Sequence, residues 1–244
     1  MRIAVLSDIH GNVSALEAVL ADVGRRGVDL SVNLGDILSG GLWPAETAAM
    51  LMPLDLPTIR GNHERQVMTL APERMGASDR RAHDTIGEAE RVWLGGLPET
   101  LRPVEGVLMV HGTPGSDIEY GLETVTPEGL REATRGEAEA RFGGAKADLI
   151  LCGHTHMPRI RRLESGALVV NPGSVGLPAY DDDRPYPHLV EAGSPHARYA
   201  IVEKSDKGWA AELIAVDYDW DRAARDAEVH GRPDWARALA TGRV

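Results

Sequence analysis

Five short polar segments punctuate this chain: Asp8-Ile9-His10, Gly35-Asp36, Gly61-Asn62-His63-Glu64, His111-Gly112 and Gly153-His154-Thr155-His156. Four directly follow an apolar run of strand length, namely Arg2 to Ser7, Leu30 to Leu34, Val107 to Val110 and Leu149 to Cys152, and the third follows a short strand candidate, Thr58 to Arg60. Between the early runs the period changes. Val13, Leu16, Val19, Leu20 and Val23 recur at helical spacing after Asn12, a helix N-cap residue, and Pro44 suits the first turn of a second helix. Strands alternating with helices predict an α/β fold, in which ligands bind beyond the carboxyl ends of the strands. The polar segments therefore converge on one point.

The remaining elements read less sharply. From Ala71 to about Leu97 the pattern is helical but broken by Pro72, Gly76 and Gly87, which predicts two or three short helices. A polar helix is expected from Pro127 to about Phe142. Arg159 to Leu163, Ala167 to Val170, Arg198 to Glu203 and Trp209 to Val216 read as strands, arranged as hairpins of a second sheet. The segment Leu177 to Pro195, rich in Pro, Asp and Gly, reads as a surface loop. Trp220 to Leu239 has helical composition interrupted at Gly231 and Pro233.

Composition narrows the classes. With 244 residues, 43% of them hydrophobic, the chain is expected to form one domain over 1–244, with metal-site motifs at 8–156 and second-sheet hairpins and C-terminal helices at 157–244. A formal net charge of −11 argues against a broad polyanion-binding surface, so duplex nucleic acid is not an expected partner. The first apolar run meets Ser7 and Asp8 too early for a signal-peptide core, and no stretch approaches the ~20 apolar residues of a membrane span. The single cysteine, Cys152, permits no internal disulfide and reads as a small buried hydrophobe. A cytoplasmic location is the expectation.

The polar segments supply two aspartates, one asparagine and several histidines, a set of N and O donors that suits divalent transition ions. Asp8 and His10 differ by two positions, so an extended backbone would turn both to the same side, and His154 and His156 repeat that spacing. Asp36 is the candidate shared ligand, because two ions ~3.5–4 Å apart need one. His83, His188, His196 and His230 lie outside the pattern and are expected to be surface or structural. Glu64 reads as a first-turn acid of a helix, and Asp181-Asp182-Asp183 as solvated loop.

In this order the five motifs resemble those of the calcineurin-like metallophosphoesterases, closer to the small prokaryotic phosphodiesterases than to the protein phosphatases. The resemblance implies a two-sheet α/β sandwich flanked by helices in four αββα layers. It implies two divalent transition ions, one held by Asp8, His10, Asp36 and His156 and the other by Asp36, Asn62, His111 and His154. Mn or Fe is preferred, with Zn, Ni or Co also suited to such donors. The implied activity is hydrolysis of small phosphodiesters or phosphomonoesters, nucleotides and cyclic nucleotides among them, by a hydroxide held between the ions. His63 is not an expected ligand, which frees it to protonate the leaving oxygen.

Two departures bear on substrate. Where the protein phosphatases carry an Asp that partners the acid histidine and an Arg that grips phosphate, this chain has Ser39 and Gly40. The loop Asn171-Pro172-Gly173-Ser174-Val175-Gly176 resembles one in the small phosphodiesterases, which makes Asn171 and Ser174 candidate substrate contacts, although turn formation alone would explain Pro172-Gly173. Trp43, the 177–195 segment and the helices of 71–97 are candidate pocket walls. The alternatives are a non-catalytic interaction scaffold on the same fold, which has no need for His63, or a nuclease, for which no basic groove is visible.

Overall fold

The computed structural model describes residues 1–244, and its layering starts from side-chain alternation in the first apolar run. Arg2–Leu6 forms β1, in which Ile3 and Val5 enter one core while Ala4 and Leu6 enter another. Successive side chains leave a strand in opposite directions, so a strand apolar throughout needs cover on both faces. Helix α1 (Val13–Arg25) provides it on one side, and the Asn12 side-chain oxygen caps it by accepting from the Ala15 N–H at 3.1 Å. Parallel to β1 runs β2 (Leu30–Asn33), and α2 (Pro44–Leu51) opens on its proline as expected. Thr58 to Arg60 reaches only a single bridge, Thr58 to Asn33, because Gly61 turns the chain at once into α3 (Asn62–Thr69). The expected short helices of 71–97 are a 3₁₀ turn at Pro72–Arg74, α4 (Ala77–Thr85) and α5 (Glu88–Gly96).

The second half departs from expectation in three places. After β3 (Val107–Met109), the segment expected as one polar helix first makes a hairpin of β4 (Glu123–Thr126) and β5 (Gly129–Glu132). Helix begins only at α6 (Arg135–Phe142), where Thr134 and Glu137 cap reciprocally. After β6 (Leu149–Leu151), the next hairpin, β7 (Arg159–Arg162) and β8 (Leu168–Asn171), joins β3 and β6 in the order β3-β6-β8-β7. The supposed loop 177–195 holds a two-stranded hairpin, β9 (Ala179–Asp182) with β10 (His188–Glu191), whose exposed polar side chains mask the strand pattern. The last hairpin, β11 (Ala197–Ser205) and β12 (Gly208–Val216), does not share a sheet with β7 and β8. It completes the first sheet, β12-β11-β1-β2, because β11 alternates Tyr199 and Ile201 into one core with Ala200 and Val202 into the other, as β1 does. Helices α7 (Trp220–Val229) and α8 (Pro233–Thr241) close the chain.

The two sheets enclose Ile3, Val5, Val32, Val107, Leu149 and Val170 between them. The outer face of the first sheet carries α1 and α2, and that of the second packs Ile150 and Val169 on Phe142 of α6. Each fully buried aliphatic side chain of this kind contributes ~1.5–3 kcal/mol relative to an exposed one. The expected four layers are thus formed, and the carboxyl ends of β1, β2, β3 and β6 lie along one edge. No helix is long and apolar enough to cross a membrane.

Candidate metal centre

The five motifs occupy that edge, but not in the extended backbone the two-residue spacing suggested. Asp8, His10, Asp36, His154 and His156 all have positive φ, between 53° and 70°, and Asp55 is the only other non-glycine residue that does. Each such residue costs ~1–3 kcal/mol and persists only where its surroundings over-determine it. Those surroundings are hydrogen bonds between motifs. Asp8 N–H donates to the Gly35 carbonyl at 3.0 Å, His10 N–H to the Asp36 carbonyl at 3.0 Å, and His154 N–H to Asp8 Oδ2 at 3.2 Å. Glu64, expected as an ordinary first-turn acid, is buried and accepts from the N–H groups of Asp36, Ile37 and Gly61, each at 2.8 Å. It clamps the second motif to the third. Gly35 permits this approach, since at its φ of +95° a Cβ would strike the Gly61 backbone.

All seven expected ligands gather here in two groups. Asp8, His10 and His156 present donor atoms within 4.8 Å of one another, and so do Asp36, His111 and His154. Asn62 Oδ1 joins the second group, 3.2 Å from His111 Nε2. The remaining ring nitrogens are committed elsewhere: His10 Nδ1 to the Ser39 carbonyl, His111 Nδ1 to that of Leu34 and His156 Nδ1 to that of Leu177, each at 2.7 Å. A ring N–H donated to a carbonyl leaves the other nitrogen as a lone pair, the arrangement by which proteins orient metal-binding histidines. The Nε2 atoms of His10 and His156 consequently face each other at 3.0 Å. Two lone pairs at that separation repel unless a proton or a metal cation lies between them. His154 is bonded through Nε2 to the Ile118 carbonyl at 3.2 Å, which leaves Nδ1 to face the group. Buried Asp8 Oδ1 makes no close hydrogen bond, its nearest polar neighbour being His156 Nε2 at 3.4 Å. On donor type, direction and unmet need, these residues fit a pair of divalent cations.

Electrostatics agrees. Burial, assisted by His156, lowers the pKa of His10 to about 3, and burial with His111 lowers that of His154 to about 4, so both rings are neutral at neutral pH, as metal binding would require. His111 behaves oppositely: burial pulls its pKa down, but Asp36 and Asp8 outweigh it and raise it to about 10. A proton on His111 Nε2, 3.1 Å from Asp36 Oδ2, stands in for a cation, and metal binding would release it. Burial raises Asp36 as well, yet His111, His63 and His10 hold it well below the usual carboxylate range.

His63 lines a cavity of about 360 Å³ above this floor, with its ring 5.4 Å from that of His10. Its Nδ1 bonds Asp79 Oδ1 at 2.6 Å. Asp79 is buried on α4 and takes the place of the acid missing at Ser39, a role no local pattern announced. Burial lowers the His63 pKa, but Asp36 and Asp79 raise it to about 9, so the ring is protonated at neutral pH.

Asn171 and Ser174 are not brought to the cavity. Both are buried: Asn171 Nδ2 donates to the Gly153 carbonyl and Thr155 Oγ1, and Ser174 Oγ donates to the Asp8 carbonyl and accepts from Leu177 N–H. They brace the loops that carry Asp8 and His154 from behind. Trp43 also lies away from it, bonded through Nε1 to Asp226 and packed on His230. The wall comes from Tyr120, from Tyr180, Asp181 and Asp182 of β9, and from Trp235 and Ala238 of α8. His188 is structural, its Nε2 3.0 Å from the Tyr120 hydroxyl.

A family model described as the calcineurin-like phosphoesterase superfamily domain matches residues 1–192. The chain belongs to that superfamily. Calcineurin-like phosphoesterases act on phosphoester bonds and use divalent metal ions, in keeping with the donor clusters above. An uncharacterised protein of Methanocaldococcus jannaschii, MJ0912, is 28% identical over 251 residues, covering 96% of this chain and 94% of that protein. The crystal structure of a metallophosphoesterase from Sphaerobacter thermophilus superposes with a TM-score of 0.77 at 26% identity, over 99% of this chain and 100% of the other. PH1004 from Pyrococcus horikoshii shares the fold, with a TM-score of 0.78 at 20% identity over 99% and 98% of the two chains.

Proposed function

We propose that this calcineurin-like chain hydrolyses small phosphodiesters or phosphomonoesters with the help of two divalent ions. Asp8, His10, Asp36 and His156 would hold one ion, and Asp36, Asn62, His111 and His154 the other. Such a pair, when bound, supplies Lewis acidity toward phosphoryl oxygens and a water ionised near neutral pH. The observation that carries this reading is the pairing of His10 Nε2 and His156 Nε2 at 3.0 Å with both Nδ1 atoms already committed.

The chain's own acid chemistry centres on His63. Asp79 engages Nδ1, which leaves Nε2 as the proton-bearing nitrogen available to the cavity. As the ester bond breaks, that proton passes to the departing oxygen, and Asp79 stabilises the imidazolium beforehand and fixes its orientation. An interaction scaffold has no use for this pair, so its retention favours catalysis. Hydrolysis of aryl phosphodiesters and monoesters, assayed with Mn²⁺ and again with a chelator, tests the reading. Metal-dependent release of the phenol is expected. A protein loaded with divalent ions that cleaves neither class would refute it.

A further inference from the structure

Each arginine that borders the centre has an acidic partner. In the main cavity the only cation outside the histidines is Arg232, and it donates to Asp234 through Nε at 3.0 Å and Nη2 at 2.6 Å, and to Ser78 Oγ through Nη1 at 2.8 Å. Its guanidinium also lies 5.2 Å over the Trp235 ring. A second cavity, of about 280 Å³, reaches His111 and contains Arg60 and Arg65. Arg65 grips Asp117 with two bonds, at 2.6 and 3.0 Å, and Arg60 pairs with Glu99. The chain's three lysines, Lys146, Lys204 and Lys207, line neither cavity.

The β9 wall carries the opposite charge. Asp181 and Asp182 stand exposed at the rim of the main cavity, neither in an ion pair, and the Asp182 carboxylate accepts the Arg184 N–H at 2.9 Å. Between these acids and the floor the lining is apolar or aromatic, with Leu177, Ala179, Tyr180, Trp235 and Ala238. A phosphoryl group on the floor is served by the donor clusters. A second phosphate elsewhere on the same substrate would find no guanidinium or ammonium without an acidic partner and would approach two carboxylates, and like charges at a solvent-exposed rim repel to an extent that salt screens.

We infer that the pocket selects esters with a single phosphoryl group on an uncharged or cationic organic arm, and that Asp181 and Asp182 exclude substrates bearing a second phosphate. This rests on the phosphoesterase reading above and sharpens its substrate class. Nucleoside monophosphate esters and cyclic nucleotides remain admissible, whereas nucleoside polyphosphates and bisphosphates do not.

The test compares two substrates with one leaving group: the p-nitrophenyl ester of thymidine 5′-phosphate, with and without a 3′-phosphate, on the full chain in Mn²⁺. The compound lacking the 3′-phosphate should have a kcat/KM higher by on the order of tenfold, and the ratio should shrink as salt is raised, because exposed charges are screened. The double substitution Asp181→Asn and Asp182→Asn should reduce the ratio severalfold. Equal cleavage of the two compounds by the unaltered protein, or faster cleavage of the bisphosphate, overturns the inference and leaves the phosphoesterase reading standing. A ratio unmoved by the double substitution removes the two aspartates from the account. Failure to cleave either compound overturns the inference, and the phosphoesterase reading falls with it only if simple aryl diesters and monoesters also go uncleaved, which separates that outcome from a loss of selectivity alone.

Discussion

On the floor of the cavity, five of seven clustered donors sit in left-handed backbone on loops at strand ends, each tied to another motif. On its wall, Tyr180, Asp181 and Trp235 sit in ordinary strand and helix. The contrast separates two kinds of specification. The floor stores backbone strain that only a fully formed network can hold, so its chemistry is fixed and its tolerance for change is small. The wall is carried by a hairpin and a C-terminal helix, with Tyr180 and Trp235 resting edge-on against His156 and His10 and Asp181 making no hydrogen bond to that network. Floor substitutions should therefore cost metal, turnover or folding, and wall substitutions should alter substrate preference.

The contrast breaks first at Asp36, whose carboxylate is common to both proposed ion sites. Asp36→Asn should lower kcat/KM by on the order of 10³-fold, with loss of one or both ions by element analysis. Near-normal turnover with two ions retained would remove the shared role. Next is His63→Asn, expected to slow turnover ~10²–10⁴-fold with metal content intact. If the ions leave as well, His63 belongs to the floor rather than above it.

Gly35→Ala sharpens the structural side of the comparison. Its Cβ would press on the Gly61 backbone at a φ of +95°, so denaturant titration should show a loss of at least ~1–3 kcal/mol. An unchanged midpoint would mean the floor is more pliable than its hydrogen bonds indicate. Asp79→Asn keeps a hydrogen-bond partner for His63 but removes the charge. It should slow alkyl phosphate esters by about tenfold while scarcely affecting p-nitrophenyl esters, whose leaving group needs no proton. Tyr180→Phe removes one wall hydroxyl, 2.8 Å from that of Tyr120, and should change KM only a few-fold, in line with the ~0.5–1.5 kcal/mol of a single hydrogen bond.

The same division explains what could be read before the structure. Asp8, His10, Asp36, Asn62, His111, His154 and His156 announce themselves because each donor is local to a strand end. Strand ends converge by the geometry of α/β sheets, whatever the details of pairing. The layer order came from the family resemblance of the motifs, and the unbroken apolar run of β1, covered on both faces, is consistent with it. Asp79 was not legible, because it is one polar residue among many on α4 and acquires meaning only when that helix packs beside α3. Glu64 does sit in the first turn of its helix, but its clamp was not legible, since nothing nearby in sequence reveals the N–H groups of Asp36 and Ile37 brought to it beside that of Gly61. The two late hairpins were placed in one sheet because local alternation does not name a partner strand. Hairpins β4–β5 and β9–β10 were missed because their exposed charged residues carry little apolar periodicity.

The central claim is that the facing imidazoles and the Asp8 oxygen that makes no close hydrogen bond exist to hold two cations that share Asp36. A crystal structure of the Mn²⁺-loaded protein, with diffraction data collected at the manganese absorption edge, tests it most directly. Two anomalous peaks ~3.5–4 Å apart are expected, one beside Asp8, His10 and His156, the other beside Asn62, His111 and His154, with Asp36 touching both. A single peak, or manganese bound only elsewhere while His10 and His156 still face each other, would contradict the account.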